Sequence, residues 1–184
     1  MDNGASSYRR FLAGDDEGLA DIIRTYRDGL IFYLNGFVND IHTAEDLAED
    51  VLVKLAVKKP AFREKSSFKT WLYTIGRNEA CTYLRRHKIT YVPLEEVPAQ
   101  AAVGDAPEIG YFRNEKSRAL HMCLAGLKSE YHQVLWLYYF DELPAKEIAV
   151  VMKKSVHNVE TLLYRARKAA RSALEAEGLN DENL

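Results

Sequence analysis

Only two cysteines occur in 184 residues, Cys81 and Cys123, and each lacks a second cysteine nearby. This excludes a disulfide framework and a zinc knuckle, and both read as reduced core thiols. Long apolar runs are missing too. The longest, Val134 to Phe140, falls far short of the roughly 20 residues that cross a bilayer. The N-terminus carries acids where a signal peptide carries a basic and apolar run, so a soluble, cytoplasmic protein without direct membrane insertion is expected. Neither G-x-x-x-x-G-K-[ST] nor G-x-G-x-x-G occurs; the familiar phosphate cradles are absent and no cofactor is expected. What remains is 47% hydrophobic and 28% charged, a globular composition that excludes disorder of the whole chain. The length allows one full domain or two small ones.

Formal net charge is only -2, yet the charges are segregated. Residues 1–57 sum to -6, 58–88 to +7, 89–142 to -4, 143–174 to +5 and 175–184 to -4. Two separated basic blocks, each rich in helix formers, are what a protein touching a polyanion at two places shows, although a charge run also serves as a solvated face.

Three of the five prolines, Pro93, Pro98 and Pro107, fall between Val92 and Gly110, where periodic apolar spacing stops. That stretch reads as a flexible linker over 92–113, between a domain at 1–91 and another at 114–184. Before it, Leu19, Ile22, Ile23, Tyr26 and Leu30 recur at helical spacing after Asp15 and Asp16. Leu47, Val51 and Leu55 repeat the pattern with Thr43 as the expected N-cap. Ser66 or Ser67 caps a third helix with Phe68, Trp71, Leu72 and Ile75 on one face, ending among Arg85, Arg86 and Lys88. After the linker, Leu120, Leu124 and Leu127 give one helix, and Ser129 through Tyr138 another. Pro144 opens a short helix with Ile148, Ala149 and Met152 inward; Lys153, Lys154 and Ser155 turn the chain. Ser155 then caps a last helix with Val159, Leu162, Leu163, Ala166 and Ala170 inward. No period-2 strand pattern survives, so the fold class is all-α: two small helical domains that move independently.

Metal chemistry has weak support. His121 and Cys123, two apart on a helix, point in different directions. His42 with Glu45 and Asp46 shares a face and could serve a metal-dependent hydrolase. Glu45, Asp46, Glu49 and Asp50, however, form an acidic ridge that suits a basic partner surface, or a plain solvated face, better than chemistry. From Phe62 to Tyr73 aromatics and cations interleave, and the basic block runs on through Arg77, Arg85, Arg86 and Lys88. Single-stranded nucleic acid fits such a mixture, each stacked base being worth about 1 to 3 kcal/mol, although the aromatics taken singly read as core. In the second block a short helix, a three-residue turn and a long helix, with Ala149 and Val159 ten residues apart, form the packing pattern of a helix-turn-helix.

Asp46-Leu47-Ala48-Glu49-Asp50-Val51-Leu52, followed by Phe62 through Asn78, resembles sigma domain 2 of the extracytoplasmic-function (ECF) sigma factors of the sigma-70 family. Leu127 through Ala149 and Val159 through Arg167 resemble sigma domain 4 of the same family, in the correct order and with a short linker. The resemblance implies a non-enzymatic transcription initiation factor that gives core RNA polymerase its promoter specificity. Asp46, Glu49, Asp50 and Val53 would dock on the largest-subunit clamp, and domain 4 on the flap of the second-largest subunit. Minus-ten DNA would meet Arg63, Lys65, Ser66, Ser67, Phe68, Lys69, Trp71, Arg77, Asn78, Arg85 and Arg86. The minus-thirty-five element would meet Ser155, His157, Asn158, Glu160, Thr161, Tyr164, Arg165 and Lys168. An anti-sigma factor is a further partner implied by the family.

The chain departs from the family in places. Lys153 replaces the turn Gly and Lys154 an apolar residue. His157, Glu160 and Leu162 stand where small and basic residues are usual, and Ala48 and Glu49 where the family favours Val and Gln. A sigma-like regulatory protein that binds polymerase or a regulator without reading promoters is the alternative reading.

Overall fold

The computed structural model describes residues 3–87, 124 and 126–176, and those residues are helical throughout their regular elements. The expected linker and the helix expected around Leu120 lie largely outside them. The first half contains α1 (Asn3–Leu12), α2 (Glu17–Val38), α3 (Ile41–Lys58) and α4 (Phe68–Arg86). The second contains α5 (Ser129–Leu135), which runs into a π-helical turn (Trp136–Phe140), then α6 (Ala145–Met152) and α7 (Val156–Ala176). Among the described residues no helix is long and apolar enough to cross a membrane.

Local chemistry sets most boundaries. Asp15 Oδ1 accepts from the Glu17 amide at 3.1 Å, bringing an acid to the positive end of α2. The α2 helix ends at Asn39, whose φ of 51° is a left-handed stop. The expected cap at Thr43 is corrected: Asp40 is the N-cap of α3, and its carboxylate accepts from the Thr43 amide at 2.7 Å. A shorter reach and a full negative charge favour Asp40 there. Ser67 caps α4 and accepts from the Thr70 amide at 3.2 Å. The first helix, α1, went unread in the apolar pattern. Its Ala5, Tyr8 and Phe11 are buried, and Tyr8 donates to the Pro60 carbonyl at 2.8 Å.

The aromatics of the first basic block form a core. Phe68 is wholly buried, with ring centroids 5.5 Å from Tyr8, 5.6 Å from Tyr26, 5.5 Å from Phe62 and 5.4 Å from Trp71. The assignment of Phe68 to DNA contact is therefore corrected: its ring is spent on packing α1, α2 and α4 together. Trp71 is half-buried on Tyr8 and Phe62.

The two halves share one hydrophobic core. Phe32 of α2 lies 5.2 Å from the Trp136 ring, which stacks on Phe140 at 4.2 Å. Gly36 permits the approach of His132, because a Cβ there would stand 2.6 Å from the imidazole. The Ser129 hydroxyl donates to the Gly36 carbonyl. Asp141, 7% exposed, accepts from Tyr73 Oη of α4 at 2.9 Å, faces Trp136, and lies 3.4 Å from the Lys69 ammonium. Independent motion of the halves, expected from the composition of the linker, does not match this arrangement. The surfaces that dock them are on the helices, where linker composition carries no information.

Burial pushes the His132 imidazole from 6.5 down to about 4, although the carbonyls of Phe32 and Leu124 favour its protonated form. The folded ring is thus neutral where an unfolded one takes up a proton. Stability from this group is complete above about pH 6.5 and is lost as pH falls towards 4, by up to about 3 kcal/mol. Asp141 acts oppositely, since burial raises its carboxyl pKa and acid relieves that cost. Comparing the native chain with His132→Gln cancels the Asp141 contribution. Urea unfolding across pH 7 to 4 is expected to show the native chain losing stability relative to the variant; parallel curves would refute the assignment.

Candidate nucleic-acid and protein interfaces

Three surfaces carry the residues singled out in the sequence. On α3 the apolar side chains Ala44, Leu47, Ala48, Val51, Leu52 and Leu55 face inward. Helical spacing then leaves Asp46, Glu49, Asp50 and Val53 on the outer face, all exposed, and Val57 continues the stripe at 74% exposure. Val53 and Val57, one turn apart, add an apolar strip beside the carboxylates, a combination that suits protein contact. Glu49 lies 3.9 Å from the Arg27 guanidinium, so part of its charge is answered within the chain. His42 Nδ1 stands 3.4 Å from Glu45 Oε2, and among the described residues no group of three or more metal-ligating side chains exists.

The second surface is α4 with the loop before it. Arg63, Lys65, Arg85 and Arg86 are exposed and form a cationic rim at both ends of the helix. Ser66 and Arg77 are half-buried, and Arg77 Nε is buried without a hydrogen-bond partner. Ser67, Lys69 and Asn78 are engaged by the second half. The Ser67 and Thr70 hydroxyls donate to the Glu147 carboxylate, Lys69 donates to the Asp141 carbonyl at 3.0 Å, and Asn78 accepts from Lys153 at 2.9 Å. Sequence reasoning gave Asp141 no role and used Glu147 only as part of the segment that resembles sigma domain 4. Their only signal is an acid within a basic segment and an acid just after an aromatic run.

The third surface is the helix-turn-helix of α6 and α7. Ala149 and Val159 are buried at its joint. Lys153 adopts φ 54°, the left-handed turn that the family gives to Gly, at a cost of order 1 kcal/mol. Lys154 is held by Glu130 of α5 at 2.9 Å, which explains a cation at a usually apolar place. The Ser155 hydroxyl accepts from the Asn158 amide at 3.2 Å and starts α7. Behind it Leu163 and Ala166 are buried, while His157, Asn158, Glu160, Tyr164, Arg165 and Lys168 are exposed and Thr161 half-exposed. Residues 157, 160, 161, 164 and 168 make one stripe, with Tyr164 71% exposed. Arg167 is engaged within the chain. It donates to Tyr139 Oη at 2.9 Å and lies 5.0 Å from the Tyr138 ring centre, tying α7 to the π-helical turn.

These surfaces have counterparts in known proteins. Residues 22–89 match the family described as Sigma-70 region 2, and residues 117–169 match Sigma-70, region 4. The RNA polymerase sigma factor YlaC of Bacillus subtilis is 35% identical over 154 residues, spanning 82% of this chain and 88% of that one. The ECF RNA polymerase sigma factor SigW of the same organism is 29% identical over 88% of this chain and 91% of its own. In fold, the chain is similar to the sigma factor RpoE of Bartonella quintana in complex with the anti-sigma factor NepR. The TM-score is 0.62 at 20% identity, over 85% of this chain and 96% of that one. CnrH in complex with the cytosolic domain of CnrY gives 0.61 at 19% identity, over 95% and 96%. With both sigma-70 regions in order between residues 22 and 169 and a relative 35% identical over 82% of the chain, the protein belongs to the sigma-70 family of RNA polymerase sigma factors, in its extracytoplasmic-function branch.

Proposed function

We propose that the protein binds core RNA polymerase through the outer face of α3 and directs it to promoters, with α4 meeting the minus-ten element and α7 the minus-thirty-five element. It brings no catalytic chemistry of its own. The observation that carries this reading is the separation of surfaces on a single scaffold. An acidic, partly apolar stripe on α3 suits a basic protein, while the cationic rim of α4 and the outer stripe of α7 suit a polyanion. The largest-subunit clamp is the partner assigned to Asp46, Glu49, Asp50 and Val53, and the flap of the second-largest subunit to the second half. Capture of unpaired bases falls to the loop at Arg63 to Ser66 and the exposed edge of Trp71, with Arg77, Arg85 and Arg86 on phosphates. An anti-sigma factor is a further partner, supported by the complexes in which the similar folds occur. The cytoplasm, where polymerase acts, is the site of action.

Transcription in vitro with core polymerase and a promoter library tests the whole reading: discrete start sites that depend on this protein are expected. Binding to core without directed initiation would favour the alternative, a regulatory protein that no longer reads promoters.

Charge reversal at Glu49 and Asp50 tests the docking surface. The double Lys variant is expected to fold as the native chain does, because both side chains are exposed, and to lose at least tenfold in affinity for core in a pull-down titration. Unchanged affinity would refute the α3 assignment.

Glu160 is exposed one residue after the buried Val159, where a carboxylate can accept from a cytosine amino group with discrimination of about 1 to 3 kcal/mol. Arg165 and Lys168, exposed one to two turns later, supply backbone attraction and make the acid tolerable. Glu160→Ala should flatten preference at one base pair with little change in overall affinity, and Glu160→Lys should raise nonspecific affinity and steepen its salt dependence. Binding to a selected promoter and to scrambled DNA across salt concentrations decides it. A uniform gain on all sequences for the Ala variant would mean that Glu160 only repels phosphates.

A further inference from the structure

The loop at 59–67, between α3 and α4, has no glycine, yet Lys59 (φ 42°) and Glu64 (φ 53°) are left-handed. Both positions are strained for a residue with a side chain. Lys59 is the more so, because the residue before a proline is normally extended. Strain of this kind persists where neighbours over-determine the backbone. Here the neighbours are on α1. The Lys59 ammonium lies 4.6 Å from the centre of the Phe11 ring, and the Glu64 carboxylate 3.7 Å from the Arg9 guanidinium. Tyr8, next to Arg9, donates its hydroxyl to the Pro60 carbonyl at 2.8 Å. Three side chains of one short helix thus hold three points of the loop, both strained ones included. The helix is itself well seated. Tyr8 is 1% exposed, and its ring lies 5.5 Å from Phe68 and 5.4 Å from Trp71, the rings that also flank Phe62 of the loop at 5.5 and 5.1 Å. A Cβ at Gly4 would strike the Phe68 ring, so α1 can press against α4 only with glycine there.

We propose that α1 is the positioning element of the base-capture loop, and that Tyr8 is a specificity-determining residue of minus-ten reading although it does not touch DNA. This rests on the reading of the loop at Arg63 to Ser66 as the place where an unpaired base is held. A base taken out of its stack is recognised by the fit of a pocket. A loop that finds its shape only on binding adjusts to several bases, whereas a loop of one shape rejects those that do not fit. The ties to α1 give the second kind. With the Pro60 carbonyl fixed, Phe62 on the aromatic cluster and Glu64 held by Arg9, the backbone that carries the exposed Arg63 and Lys65 is anchored on both sides. Removing the Tyr8 hydroxyl releases the Pro60 carbonyl, which belongs to a half-buried residue and can take water instead, while the ring keeps its packing. The loss then falls on discrimination and not on the fold.

The experiment uses the full chain assembled with core polymerase and selects from a single-stranded DNA pool of random sequence. Sequencing the bound fraction gives the base preference at each position of the site. Tyr8→Phe is expected to lower the preference at one position by about fivefold, the scale of one hydrogen bond, and to leave the other positions as they are. Arg9→Gln changes a side chain that is exposed, so the fold is kept while Glu64 is released; it is expected to lower the same preference by about twofold. A triple variant, Arg63→Ala with Lys65→Ala and Ser66→Ala, tests the loop itself and is expected to flatten that same position. A merely structural role would reduce the amount of active protein and weaken every sequence alike, which leaves the ratios between bases unchanged. Unaltered ratios in Tyr8→Phe and Arg9→Gln, with the triple variant flattening one position, would overturn the role of α1 and leave the loop as the reader. A preference lost in Tyr8→Phe at a position that the triple variant does not affect would overturn it too. Unaltered ratios in the triple variant would remove the loop from base reading, and the positioning role would go with it.

Discussion

How closely the second half can approach α2 governs the arrangement. At Gly36 the His132 ring occupies space that any side chain would fill, and at Gly29 a Cβ would stand 2.6 Å from Tyr73 Oη and 3.6 Å from Asp141 Oδ1. The two glycines are seven residues, about two turns, apart and so lie on one face of the helix. With that face flat, Trp136 reaches Phe32, and Asp141 reaches Tyr73 and Lys69. Apolar surfaces alone can slide over one another, whereas the hydrogen bonds to Asp141 and His132 have direction. Burying an acid is costly without such partners. The same groups that make the docking expensive to misplace thus fix its register.

Much of this was legible in the sequence, and the failures share a cause. Apolar spacing located α2, α3, α4, α6 and α7, because each buries one face and periodicity reports burial. It placed the start of α3 at Thr43 because a threonine also suits a cap, and it left α1 unread because Ala5, Tyr8 and Phe11 are a thin stripe on a helix of ten residues. Phe68 and Trp71 were ambiguous from the start, since an aromatic among cations serves a core or a base equally well, and the packing around Phe68 decides for the core. Docking of the halves had no sequence signal of that kind. It depends on glycines within a helix and on lone acids within basic stretches, neither of which has a period.

The departures from family pattern in the turn between α6 and α7 have local physical explanations. Lys153 takes the left-handed turn at modest cost, and its side chain reaches Asn78 of the first half. Lys154 reaches Glu130. A glycine and an apolar residue, which the family favours there, could make neither contact. The atypical turn and the closed arrangement therefore depend on one another: the same lysine that strains the backbone bridges the halves.

Electrostatics separates the contacts made within the chain from those proposed for a nucleic acid on α4. In the proposed reading, DNA is drawn to the exposed rim of Arg63, Lys65, Arg85 and Arg86 by long-range attraction, which falls steeply with salt because releasing counterions then gains less entropy. The intramolecular contacts are different in kind. Ser67, Thr70 and Tyr73 donate neutral hydroxyls to Glu147 and Asp141, at contact distance and partly or fully buried, where mobile ions screen little. Raising ionic strength thus weakens attraction for a polyanion more than it weakens the docking of the two halves. The partner proposed for the α3 stripe would also meet the exposed Val53 and Val57, an apolar contact that mobile ions do not screen.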